Sequence, residues 1–245
     1  MPLFGELELD AVAPALPRLR DLDTEAWEIP KAEIVQVAYE VADGTRTLLP
    51  RALHPAIPEY VTFVVTRYPE SPVGPFDLAQ LRLMARAGVH PRGYVLGAVA
   101  STDAAVAALR ERWGYPVVRG EIAFRRYHDR VASTVRRGGE TILDIAVVDP
   151  EVIAGGDLQY IHAVTLARVD GAAQLVQVDP HYTVHGAARG RAQVGRFDAA
   201  AWNAAAVRLT TPISASASTC DTDLPRIRFV MDPQIPVVSG TKMVR

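Results

Sequence analysis

The stretch Arg110-Glu111-Arg112-Trp113-Gly114-Tyr115-Pro116-Val117-Val118 decides the reading of this chain, because a helix ends inside it and a strand begins. Ser101 or Thr102 is placed to cap a helix over 102–113, and Asp103 suits its positive end. Ala105, Leu109 and Trp113 recur at helical spacing, and Gly114 and Pro116 stop the run. Tyr115 precedes a proline, so its backbone is held extended. Upstream, 31–41 alternates apolar and polar residues as a half-buried strand does. Segments 60–68 and 94–100 also read as strands, with 88–93 as a turn. Segment 76–87 reads as strand or helix, and 45–55 as a short helix ended by prolines. Beyond Glu121 strands dominate, with hairpin signals at 127–129, 138–139 and 170–171. A second helix is expected over 198–208, a small-residue loop over 214–219 and a last strand near 226–231. Residues 1–30 read as an arm and 31–245 as a single domain. Few helices among many strands predict an α+β domain that is mainly antiparallel β.

The chain has 245 residues, 49% hydrophobic and 22% charged, with net charge −2. That length buries a sizeable core, and the balance argues against a nucleic-acid partner. Only Lys31 and Lys242 are lysines among the 26 basic residues. One cysteine, Cys220, excludes an internal disulfide and a cysteine zinc cluster. With no signal-peptide pattern and no 18-residue apolar run, the expectation is a cytoplasmic protein with no membrane span. GxGxxG, Walker, HExxH and GxSxG motifs are absent. His181 and His185 share a strand face, but no carboxylate cluster accompanies them, so no metal or other cofactor is expected.

The helix-end run resembles the signature of acetoacetate decarboxylase and its relatives: an Arg-Glu pair at a helix end, three variable residues, then aromatic-Pro and two lysines. Other segments fit the same family in order. They are Tyr68-Pro69-Glu70-Ser71, Gly93-Tyr94-Val95-Leu96, Tyr160-Ile161-His162, Asp170-Gly171, Tyr182-Thr183-Val184-His185-Gly186 and Phe197-Asp198, so the likeness runs from about residue 30 to 230. It implies a β-barrel or cone with flanking helices and an internal cavity, a strand at 76–87, a small-molecule substrate and a homo-oligomer.

The departures carry the functional reading. In the family the first of the two lysines forms a Schiff base with a ketone, its amine kept neutral by desolvation and a neighbouring cation. Here Val117 and Val118 stand there, and valine forms no imine. The family's substrate-binding arginine falls near Ala32, beside Lys31, and a second glutamate is replaced near Thr62. The resemblance places Glu70 at the active site, where burial would suit it to acid–base work. It places Tyr115 and His162 as groups that polarise a carbonyl. Tyr68, Trp113, Val117, Val118, Tyr160 and Lys31 complete the expected substrate pocket, while Glu111 reads as a structural partner of an arginine. The first expectation is an enzyme of specialised, polyketide-like metabolism doing non-imine dehydration, cyclisation, isomerisation or decarboxylation on a keto or enone substrate. The alternatives are a non-catalytic small-molecule binder or accessory protein, and a Schiff-base decarboxylase or aldolase using Lys31.

Overall fold

The computed structural model describes residues 3–236 and 241–244. The central strands are β1 (Trp27–Val41), β3 (Tyr60–Tyr68), β4 (Phe76–Ala87) and β5 (His90–Ala100), with short β2 (His54–Pro55) and β6 (Val117–Arg119) attached beside them. Then come β7 (Glu121–Arg126), β8 (Arg130–Arg137), β9 (Glu140–Ile153), β10 (Ala163–Val169) and β11 (Ala172–Val178). The chain ends with β12 (His181–Phe197), β13 (Leu209–Leu224), β14 (Phe229–Met231) and β15 (Thr241–Met243). They form one sheet in the order β15-β14-β11-β10-β5-β4-β3-β1-β13-β12-β9-β8-β7, mostly antiparallel.

Connectivity forces this sheet to curl. β11 and β12 stand seven places apart in the strand order, which in a flat sheet is roughly 34 Å. Yet only Asp179 and Pro180 join them, a reach of about 11 Å. The eight strands from β11 to β12 therefore wrap into a cone closed by the chain rather than by hydrogen bonds. One sheet face lines the cone. The other packs under β7, β8 and β9, which fold back against β1, β4 and β5 over a core including Phe63, Leu81, Leu143 and Val147.

Helix α1 (Leu9–Val12) belongs to the N-terminal segment, and α2 (Asp103–Trp113) to the signature run. Thr102 caps α2, its hydroxyl accepting from the Ala105 N–H at 3.2 Å. Gly114 ends the helix at φ +65°, and a Cβ there would lie 2.5 Å from Ala167. That site therefore demands glycine twice over. Arg110 donates to the Val117 carbonyl at 3.2 Å, tying the helix end to β6. Trp113 is fully buried, its indole N–H donating to the Pro225 carbonyl at 3.0 Å, with Trp27 packed edge-on.

Several local expectations are corrected. Segment 214–219 is not a loop but the middle of β13. Ala215 and Ala217 pack into one core while Ser216 and Ser218 face the cone. Tight space on both faces selects small side chains, and pairing with β1 and β12 overrides their weak strand preference. Segment 198–208 holds one 3-10 turn, Ala200–Trp202, ended by left-handed Asn203. Burying Trp202, Ala204 and Val207 together takes an irregular path that a helix would not give. Segment 45–48 is likewise a single 3-10 turn. Strand β1 begins at Trp27, inside the expected arm. The arm itself is docked, with Leu19 and Arg168 exchanging backbone hydrogen bonds with the segment they face.

Candidate functional site

Register places the interior residues in transverse rows. Ser216, Gln36, Val64, Gln80, Ala98 and Val117 are successive partners across β13, β1, β3, β4, β5 and β6. Partners across a ladder share a face, so Val117 occupies the cone wall in line with two glutamines. The adjacent row is Ser214, Ala38, Thr62, Arg82 and Val95.

Arg82 is the centre of the site. It is 4% exposed. Its Nε donates to Gln80 Oε1 at 2.7 Å and its Nη1 to the Ile161 carbonyl at 3.0 Å, with the Tyr182 phenol nearby. Gly93 makes room for its stem, since a Cβ there would sit 3.0 Å from Arg82 Cδ. No carboxylate lies within ion-pair distance of it among the described residues. A buried cation held only by neutral acceptors is costly, and such a group is poised to receive an anion. It opens on a cavity of about 350 Å³ lined by Gln36, Glu40, Thr62, Arg82, Ile161 and Ser214, among others.

Four tyrosines lie deeper in the cone. Tyr68 packs at a tilt against Phe76, Tyr160 against Tyr182 with rings 4.8 Å apart, and the Tyr160 hydroxyl meets Ser218 Oγ at 2.6 Å. Tyr115 is fully buried beside Gln80 and Arg82. Burial pushes the phenols of Tyr68, Tyr115, Tyr160 and Tyr182 up, outweighing the pull of Arg82 where it is near. They therefore keep their protons and act as donors rather than bases. Burial likewise raises Cys220, so it stays a thiol.

His162 and Asp179 form a pair at the cone rim, Nδ1 to Oδ1 at 3.1 Å, with Arg92 at 3.9 Å from the same carboxylate. Burial would raise Asp179, but the close contact with His162 and the neighbouring Arg92 guanidinium outweigh it and hold the carboxyl low. A folded-state value below the unfolded one means stability fully present above about pH 4. That contribution is lost as pH falls through the folded value. We expect Asp179→Asn to lower stability at pH 7 and the gap from wild type to shrink by pH 3, read by urea unfolding at both pH values. An equal gap at both would remove Asp179 as the source.

Several expected site residues lie elsewhere. Glu70 is exposed: Tyr68 and Phe76 fill the space inside the hairpin and the loop carries Glu70 outward. Lys31 is exposed in a bulge of β1 at φ +53°, its backbone N–H bound to Asp221 Oδ1 at 2.9 Å, and does not line the cavity. The Lys242 side chain lies outside the described residues. Trp113 belongs to the core around α2. Val118 faces the opposite core from Val117, as strand alternation requires. His162 is not in a strand, and Glu111 is exposed with no ion pair among the described residues. Tyr68, Tyr115, Tyr160 and Val117 do meet in the cone. Sequence reasoning missed Arg82, Gln80, Gln36, Glu40, Tyr182 and Asp179. The alternation of Gln80 and Arg82 within an apolar strand was the available signal. His185 pairs with Asp221 at 2.9 Å, and no group of three or more His, Cys, Asp or Glu among the described residues is placed to hold a metal. No helix among them is long and apolar enough to cross a membrane.

A curled antiparallel sheet around a polar, arginine-centred interior defines a small-molecule cavity protein of the acetoacetate decarboxylase-like fold. The acetoacetate decarboxylase family model matches residues 15–233, and the chain belongs to that family. The fold resembles acetoacetate decarboxylase from Legionella pneumophila at TM-score 0.75 and 20% identity, covering 86% of this chain and 90% of that one. It also resembles the enduracididine biosynthesis enzyme MppR in its pyruvate complex, at TM-score 0.69 and 15% identity over 84% and 91%. A third likeness is an acetoacetate decarboxylase-like enzyme from Sphingomonas wittichii, at TM-score 0.66 and 15% identity over 84% and 92%. No curated protein matches the chain in sequence.

Proposed function

We propose that this protein is a biosynthetic enzyme of the acetoacetate decarboxylase family acting on a small oxo acid, of keto or enone type, by acid–base chemistry without a covalent imine. The observation that carries this reading is the buried Arg82, without a carboxylate partner among the described residues, facing a cavity. Arg82 takes the substrate carboxylate. The neutral phenols of Tyr115 and Tyr182, which flank it, donate to the carbonyl oxygen and stabilise the enolate that forms. Glu40 is the carboxylate that lines the cavity, and it takes the α-proton in place of the exposed Glu70. His162 contacts Asp179 at the rim rather than touching substrate. Val117, two strands along the row from Gln80, leaves that part of the wall apolar. MppR, which has been crystallised with pyruvate, supports a biosynthetic role on a small oxo acid.

Enolisation is directly observable. Pyruvate and acetoacetate incubated with the protein in D₂O should exchange α-protons by NMR, and Glu40→Gln should slow exchange by about a hundredfold. Sodium borohydride added to the same mixture should leave the intact mass unchanged. A trapped adduct on the wild-type chain would overturn the reading. So would exchange indifferent to Glu40→Gln, and binding without exchange would make the protein a binder.

A further inference from the structure

A second crevice of about 330 Å³ lies beside β5, roofed by the N-terminal segment. The roof is pinned at both ends. Leu7 N–H donates to the Leu49 carbonyl at 2.8 Å, Leu19 N–H to the Arg168 carbonyl at 2.9 Å, and Arg168 Nη2 to the Ala13 carbonyl at 2.9 Å. Between these pins α1 contributes no buried residue, so the roof spans the crevice without filling it. Val12, Leu16, Leu48, Leu96 and Leu166 supply aliphatic walls, and no charged side chain lines the space.

Two polar side chains, Tyr94 and Asn203, border it. Tyr94 lines the crevice, is 6% exposed, and its hydroxyl has no hydrogen-bond partner among the described residues. Its pKa rises through burial alone. That hydroxyl is free to donate, and it borders open space large enough for a ligand.

We propose that this crevice is a second ligand site, binding an uncharged aliphatic molecule with one acceptor oxygen, which takes the Tyr94 hydroxyl hydrogen bond. The absence of charge in the walls disfavours a carboxylate, whose desolvation nothing there would offset. This separates its ligand from the oxo acid assigned to the cone. Aliphatic walls favour a flexible alkyl chain, and the phenol fixes its polar end.

Isothermal titration with 2-nonanone as the probe tests this. Wild type should bind it, and Arg82→Met should bind it equally well, because the cone interior is not involved. Tyr94→Phe, which removes one hydroxyl, should weaken binding about fivefold. Leu16→Trp, filling the crevice from its partly buried outer wall, should abolish binding, with thermal melting showing that the variant is folded. No binding to wild type, unchanged affinity in Tyr94→Phe, unchanged affinity in folded Leu16→Trp, or loss in Arg82→Met would each overturn the proposal. Tyr94→Phe preserves packing, so it decides the matter even where Leu16→Trp does not fold.

Discussion

Replacing Arg82 by methionine is expected to weaken binding of pyruvate or acetoacetate by about 10- to 100-fold while leaving the fold intact. The affinity loss is that of a charge-assisted, geometrically fixed contact in a water-poor interior. The small effect on stability follows from two opposing terms. Removing a buried cation that lacks an acidic partner relieves its desolvation, and Met fills much of the stem's volume. Against that, Gln80 Oε1 and the Ile161 carbonyl each lose a donor. The sum should fall within about 2 kcal/mol of wild type. Calorimetric titration with either acid, beside a denaturant unfolding curve, measures both. Unchanged affinity in a folded Arg82→Met variant would remove the anion site from the cone.

Val117→Lys should add an imine-forming amine to the cone wall. Val117 is fully buried, two strands from Gln80 in its row. An amine placed there is desolvated and shares the cone with Arg82, and both influences favour the neutral, nucleophilic form. With pyruvate and borohydride the variant should gain a mass adduct approaching one per chain, where wild type shows none. The substitution also puts a longer side chain into a packed position, and about 3 kcal/mol of stability should be lost. A folded variant that traps nothing would mean that position 117 does not reach the bound oxo acid.

How far the sequence could be read differs from element to element. Helix α2 was legible to its ends because cap, spacing and stop signals are local. The three hairpins were legible for the same reason. Segment 214–219 was not, because Ser and Ala alternate with little strand preference and only the demands of two packed faces make them a strand. Segment 198–208 failed in the opposite sense, since alanine favours a helix but three buried side chains needed another path. Tyr115 and Val117, singled out by the helix-end run, lie in the cone, whereas Glu70 followed its motif into solvent. Arg82 went unread because an arginine in a strand ordinarily lies on the surface, and its alternation with Gln80 marks a shared face without saying which way that face turns.

From its residues alone this chain specified most of its strands, one helix and its family likeness. Those properties depend on neighbours in sequence. The tertiary structure alone decided which face of each strand becomes the interior. The two-residue link from β11 to β12 curls eight strands into a cone, and that curl seats Arg82, from the middle of the chain, beside tyrosines from four separate segments. An arginine from a central strand is thereby buried in the interior.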